Sequence, residues 1–293
     1  MKAIIRKTAW LALLAAFFLS SAKAGQSRGS SQQPQPSPPP PQQTQTKPAQ
    51  PSAFSLDDAL APPPASTAEE DAAFKAVMDK KTNDTPHRVE LGEAFIKKYP
   101  QSRYLEPVLS AMTLNYLNTN KIPQAIATGD KALGMNPDDV LVLALLSQTL
   151  SRAWSPTASD AQAQLDKAEK YARRTIELTP TLKKPPELMD QEFTNHKNKL
   201  LSMVHSGLGV VIFQRRKFTE SIPDLEEAVK IVPDPDPVNY YVLALANQSA
   251  QHFNDAVAAF TKCGEIVGPV QATCKARIDD AKKRAATQIS APK

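Results

Sequence analysis

The side chains able to do chemistry are few and scattered along the chain. Two cysteines, Cys263 and Cys274, stand on either side of Gly268-Pro269. A Gly-Pro turn between helical stretches sets the two thiols opposite one another across an antiparallel hairpin. In an oxidising compartment such a pair closes a disulfide. The same residues also read as two small buried thiols. A redox-active pair would favour C-x-x-C spacing, which is absent. The four histidines, His87, His196, His205 and His252, share no metal-ligand spacing, and with two cysteines they form no zinc constellation. No G-x-S-x-G, H-E-x-x-H, Gly-rich phosphate loop or EF-hand loop occurs. Ser290-x2-Lys293 has a serine-lysine hydrolase spacing but sits in a polar tail. The sequence therefore predicts no catalytic residue, no metal site and no cofactor, and points to a non-enzymatic protein.

The elements that carry these residues fall into four zones. Residues 1–24 combine a basic start (Lys2, Arg6, Lys7), an apolar run from Ala9 to Leu19 and the small-residue end Ala22-Lys23-Ala24. That pattern is a secretory signal peptide cut after Ala24. The run is shorter than the roughly 20 apolar residues of a membrane span, and no cysteine lies near the cut to carry a lipid. The expectation is an exported protein, periplasmic or secreted, with no integral membrane anchor after cleavage. Lys2, Arg6, Lys7 and Lys23 hold four of the five net positive charges, so the mature chain keeps +1. Its remaining cations alternate with acids, as in Asp166-Lys167-Ala168-Glu169-Lys170, which is a solvated helix face rather than a nucleic-acid surface.

Residues 25–65 are rich in Gln, Pro and Ser, including Pro38-Pro39-Pro40-Pro41 and Pro62-Pro63-Pro64. Too little apolar surface is present to offset the entropy of ordering. The segment reads as a disordered, semi-stiff linker of polyproline character, with a PxxP ligand as the other reading. A short apolar island, Phe54-Ser55-Leu56-Asp57-Asp58-Ala59-Leu60, interrupts it.

From Ser66 onward apolar residues recur three and four apart with almost no strand-like alternation, so the rest is all-α. One spacing occurs four times: Ala125/Gly129/Ala132/Pro137, Ala168/Ala172/Thr175/Pro180, Ser221/Leu225/Ala228/Pro233 and Ala256/Phe260/Cys263/Gly268. Offsets of four and three keep these residues on one helix stripe, and Pro or Gly ends the helix. Upstream of each stripe lies a partner helix: Leu109-x2-Met112-Thr113-x2-Tyr116, Leu143-x2-Leu146-Ser147-x2-Leu150, His205-x2-Leu208-Gly209-x2-Ile212 and Tyr240-x2-Leu243-Ala244-x2-Asn247.

These paired halves resemble the tetratricopeptide repeat (TPR), W-x2-L-G-x2-Y, then A-x3-F, then P. Leu208-Gly209 and Ala256-x3-Phe260 match literally, whereas no copy keeps the Trp, Asn247 replaces an aromatic residue, and Gly129 and Ala172 replace the Phe. A degenerate copy ends at Tyr99-Pro100. The junction Phe95-x-Lys97-x-Tyr99-Pro100-x-Ser102-x-Tyr104 is similar to stretches in exported bacterial TPR proteins of envelope assembly and cell division. Helix stops at 100, 137, 180, 233 and 268 leave intervals of 37, 43, 53 and 35 against a period of about 34. Two insertions follow, one at 153–160 and one at 181–199, either shaping binding or merely adding surface length.

The resemblance implies a right-handed helical-hairpin solenoid of four to five repeats over 66–268. The stretch 269–293 supplies a capping helix and a polar tail. It also implies a groove lined by the first helices that binds a peptide or partner protein. Carried over, the groove residues are Ser110, Leu114 and Asn118; Ala144, Gln148 and Arg152; Ser206, Val210 and Gln214; Tyr241, Leu245 and Gln248. Arg152 is the only cation among them, which does not support a clamp for acidic C-termini. The expected role is a protein–protein interaction scaffold in envelope assembly or regulation; the alternative is a periplasmic chaperone or secretion-system accessory holding clients.

Overall fold

The computed structural model describes residues 66–79 and 84–290. The expected signal peptide, the expected linker with its Phe54–Leu60 island, and residues 80–83 and 291–293 lie outside them. Eleven α-helices follow one another, and no strand occurs among the described residues. They are α1 (Ala68–Met78), α2 (Thr85–Lys98), α3 (Leu105–Asn118), α4 (Ile122–Met135), α5 (Val140–Arg152), α6 (Ala161–Leu178), α7 (Asp190–Gln214), α8 (Phe218–Lys230), α9 (Pro237–Ser249), α10 (Phe253–Glu265) and α11 (Gln271–Ser290). Consecutive helices pair as five hairpins, α1/α2 to α9/α10, and α11 closes the array. The odd-numbered helices touch in series and form one layer, while each even-numbered helix packs on its own partner and on the next odd-numbered helix.

The repeat stripe explains that arrangement. All twelve of its helical positions, from Ala125, Gly129 and Ala132 to Ala256, Phe260 and Cys263, are buried. Small side chains there let the next hairpin seat closely. At Gly129 a Cβ would stand 2.9 Å from Leu146 of the following hairpin, so the family's Phe has no room. Where the aromatic of a first helix is replaced by Asn247, its amide donates to the Leu243 carbonyl at 3.1 Å within its own helix. The burial cost of the amide is thereby met locally.

A second signature repeats in the turns. Asn120, Arg216 and Gln251 have φ of 59°, 62° and 64°. In each case the next amide reaches back five residues: Lys121 to Tyr116 at 2.8 Å, Lys217 to Ile212 at 3.2 Å and His252 to Asn247 at 2.8 Å. This is the Schellman closure of a helix end, and it joins α3 to α4, α7 to α8 and α9 to α10. Hairpin 3 lacks it because the insertion at 153–160 replaces the turn. There Trp154 donates its indole N–H to the Ala161 carbonyl at 2.9 Å, and Gln164 donates to the Leu150 carbonyl at 2.8 Å. The second insertion becomes a short 3-10 turn (Thr179–Thr181), a loop, and three extra turns at the start of α7.

The two ends of the array are closed differently. At the C-terminal end Cys274, Ile278 and Ala281 of α11 enter the core formed by α8, α9 and α10. Cys263 and Cys274 are disulfide-bonded with Cα atoms 5.8 Å apart, and both are fully buried. The outer face of α11 is charged and exposed, which suits a solenoid end facing water. At the N-terminal end α1 is held by three consecutive carboxylates. Lys98 donates to Glu69 at 2.5 Å, Ser102 donates to Glu70, and the Tyr104 hydroxyl donates to Asp71 at 2.7 Å. Phe74 stacks on Tyr104 with centroids 4.2 Å apart. The Phe95–Tyr104 junction is thus the receptor for α1.

Candidate partner-binding groove

The odd-numbered layer is where the predicted groove should lie, and its openness changes along the chain. In α3, Ser110 is half-buried, Leu114 is 36% exposed and Asn118 is exposed. On α5, Leu141 is 38% exposed and Gln148 half-buried, whereas Ala144 is buried. From α7 onward the equivalent positions close: Ser206, Val210, Tyr241 and Leu245 are all buried, and Gln214 and Gln248 are half-buried. For α7 the physical cause is its close approach to α5. A Cβ on Gly207 would lie 2.7 Å from the Ser147 hydroxyl and 3.2 Å from the Gln148 nitrogen, so glycine is what permits backbone-level contact.

Two of the predicted groove residues therefore do other work. Tyr241 packs against Phe260 at 6.3 Å between centroids, and the Arg277 guanidinium of α11 lies 5.9 Å from its ring. It is a core residue beneath the cap. Arg152, expected as the one cation presented to a ligand, has a side chain only 9% exposed. Its Nη1 donates to Asp236 at 2.8 Å, and its Nη2 donates to Asn239 at 2.8 Å and to Ser206 at 3.0 Å. Ser206 also donates to Asn239 at 2.7 Å. One guanidinium thus ties α5, α7 and α9.

Local structure prepares the node. Arg152 is the last residue of α5, where the helix dipole favours a cation. Asp236 is the N-cap of α9 and accepts from the Val238 amide at 3.0 Å. Sequence reasoning missed Asp236 and Asn239. Asp236-Pro237 is a legible helix start, but nothing in the spacing links it to a side chain 84 residues away.

What remains open is the α3–α5 stretch, whose exposed positions are Leu114, Asn118 and Leu141, with Gln148 half-open. Its lining is apolar and amide. Under it Tyr116 donates to Glu93 at 3.0 Å, and burial, then that bond, pushes its hydroxyl pKa up to about 12. It stays a neutral donor across the working range of pH. Such a surface can hold aliphatic side chains and hydrogen-bond to a peptide main chain.

Other sequence candidates fall elsewhere. His205 shares a hydrogen bond with Asp224 at 2.8 Å between the helices of hairpin 4, and His87 faces Glu90 at 3.5 Å on the surface. Among the described residues no group of three His, Cys, Asp or Glu could hold a metal, and no helix is long and apolar enough to cross a membrane.

No protein-family model and no curated protein matches this chain. Similar solved structures include TTC0263, a thermophilic TPR protein of Thermus thermophilus, at 15% identity and TM-score 0.47, covering 73% of this chain and 99% of that one. MamA AMB-1 is similar at 17% identity and TM-score 0.45, over 68% of this chain and 97% of that one. A TPR protein of Parabacteroides merdae ATCC 43184 is similar at 14% identity and TM-score 0.38, over 74% and 90%. By its own geometry, four buried copies of one stripe and a turn used three times, this chain is an all-α solenoid of repeated helical hairpins.

Proposed function

We propose that this protein is an exported, non-enzymatic scaffold that binds a segment of a partner protein in the α3–α5 groove, in envelope assembly or regulation. The observation that carries the reading is the exposure of Leu114 and Leu141 on a helix layer that closes from α7 onward. Solvent-facing leucines on a packed solenoid are apolar contact area that a partner can cover. Export, and a periplasmic or secreted location, rest on the signal-like residues 1–24, and the 25–65 linker would let the solenoid search for its partner on a tether.

The test is crosslinked affinity capture from the native envelope fraction with Leu114→Asp/Leu141→Asp beside the unaltered chain. Both side chains are partly exposed, and circular dichroism checks that the variant folds. Recovery of one or two proteins that the variant loses supports the scaffold; equal recovery by both chains sinks the groove. A second reading, a client-holding chaperone, draws on Met135 and Met189, which are 51% and 66% exposed. Exposed methionines suit variable apolar clients. Suppression of aggregation of unrelated unfolded proteins would favour that reading instead.

A further inference from the structure

In a solenoid each hairpin ordinarily contacts only its neighbours, so stability is a sum of local interfaces. Arg152 breaks that rule. From hairpin 3 it reaches past α7 to Asp236 and Asn239 at the start of hairpin 5, while also bonding Ser206 of hairpin 4. We propose that this guanidinium is a lock that makes hairpins 3, 4 and 5 one cooperative body, against which hairpins 1 and 2 open separately.

Three observations support the division. First, a nearly buried guanidinium is tolerated only with its partners in place, because an uncompensated charge is far costlier than a paired one. The node therefore forms or breaks as a unit, and its members lie in all three hairpins. Second, α5 packs along α7 much more extensively than α3 packs along α5, through the Gly207–Ser147 contact. Third, the boundary between hairpins 2 and 3 is closed by apolar packing, with Leu109, Ala132 and Leu133 in one core with Val142, Leu143 and Leu146. Its polar ties include the partly exposed pairs Lys167–Asp130 at 2.6 Å and Arg174–Asp138 at 2.7 Å, of a kind that adds little stability. Beside them a cleft of about 530 Å³ opens between α4 and α6, lined by Ile122, Ile126, Leu150 and Ala163. Leu146 seated against Gly129 supplies apolar contact there, so the boundary is a hinge rather than a break.

The lock is a property of the free protein and does not depend on the groove reading. The test is native-state hydrogen exchange, resolved by helix, on the mature chain with its disulfide intact. In the unaltered protein, amides of α5–α10 should share one slow exchange rate, and those of α1–α4 should exchange at least about tenfold faster through a smaller opening. Arg152→Met should accelerate exchange in α5–α10 by at least about tenfold and leave α1–α4 unchanged. Arg152→Lys, which keeps the charge but loses the planar fork, should give an intermediate acceleration in the same helices and serves if the Met variant does not fold. Equal protection of all helices in the unaltered chain overturns the two-body division. Uniform acceleration throughout, or none, in the Arg152 variants overturns the lock.

Discussion

Hairpins 1 and 2 share their frame with hairpins 3 to 5, yet the two regions are held together by different chemistry. In the first, α1 is fastened by Val77, buried in one core with Val89 and Phe95, by the surface carboxylates of Glu69, Glu70 and Asp71 and by one stacked ring pair. In the second, a buried guanidinium joins three helices and a buried disulfide fixes the cap. The repeat stripe is buried in both. What differs is the seam between successive hairpins, which the repeat pattern does not specify. The open α3–α5 surface straddles the boundary between the two regions, with Leu114 on hairpin 2 and Leu141 on hairpin 3.

The largest effect should come from the node. Arg152→Met removes the donor that Asp236, Asn239 and Ser206 share, and should cost about 3 kcal/mol, read as a lower urea midpoint. An unchanged midpoint would erase the contrast between the two regions. Next, replacing Cys263 and Cys274 by Ala should cost about 2–3 kcal/mol. Proteolytic cleavage in α11 should then rise relative to the chain with the disulfide intact, and an unchanged cleavage rate in α11 would show that the disulfide does not hold the cap.

Phe74→Ala removes the partner of Tyr104 and should cost about 1–2 kcal/mol. Its signature is faster exchange in α1 alone, with α5–α10 unmoved. The smallest effect is acid. Hydrogen bonds from Tyr104 and Ser66 hold the Asp71 carboxyl below its ordinary 3.8, and hydrogen bonding from Arg174 does the same for Asp138. A lowered folded pKa gives stability that is present above the ordinary value and lost as the pH falls through the lowered one. Both groups are exposed, so the loss should be small and confined to α1 and the hairpin 2–3 boundary. Proteolysis by an acid protease below that pH should start there, and a start in α7–α9 would contradict the comparison.

Much of the architecture was legible because it depends on local periodicity. The offsets of four and three in Ala168/Ala172/Thr175 place those residues on one face whatever surrounds them, and the structure buries each one. The insertion at 153–160 was visible as excess spacing, and it replaces the turn that hairpins 2, 4 and 5 share. The groove was legible only in outline. Leu114 and Asn118 face outward as their helix positions imply, but Tyr241 and Leu245 occupy equivalent positions and are buried. Helix phase tells which side of a helix a residue is on, and says nothing of how near the next helix comes. Gly207 set that distance between α5 and α7, and two closely spaced glycines in Gly207-Leu208-Gly209 were the only hint.

Arg152 shows the same limit in charge. A permanent cation at the end of α5 is written into the sequence, since arginine does not lose its proton in a protein. Whether that cation greets a ligand or locks a seam depends on Asp236 and Asn239, which sit 84 and 87 residues further on. By itself the sequence determined the helices, their pairing and the stops between them, because these follow from contacts within one or two turns. The tertiary structure alone decided which first-helix residues stay open and where the Arg152 charge is placed, because both depend on distances between helices that no local pattern encodes.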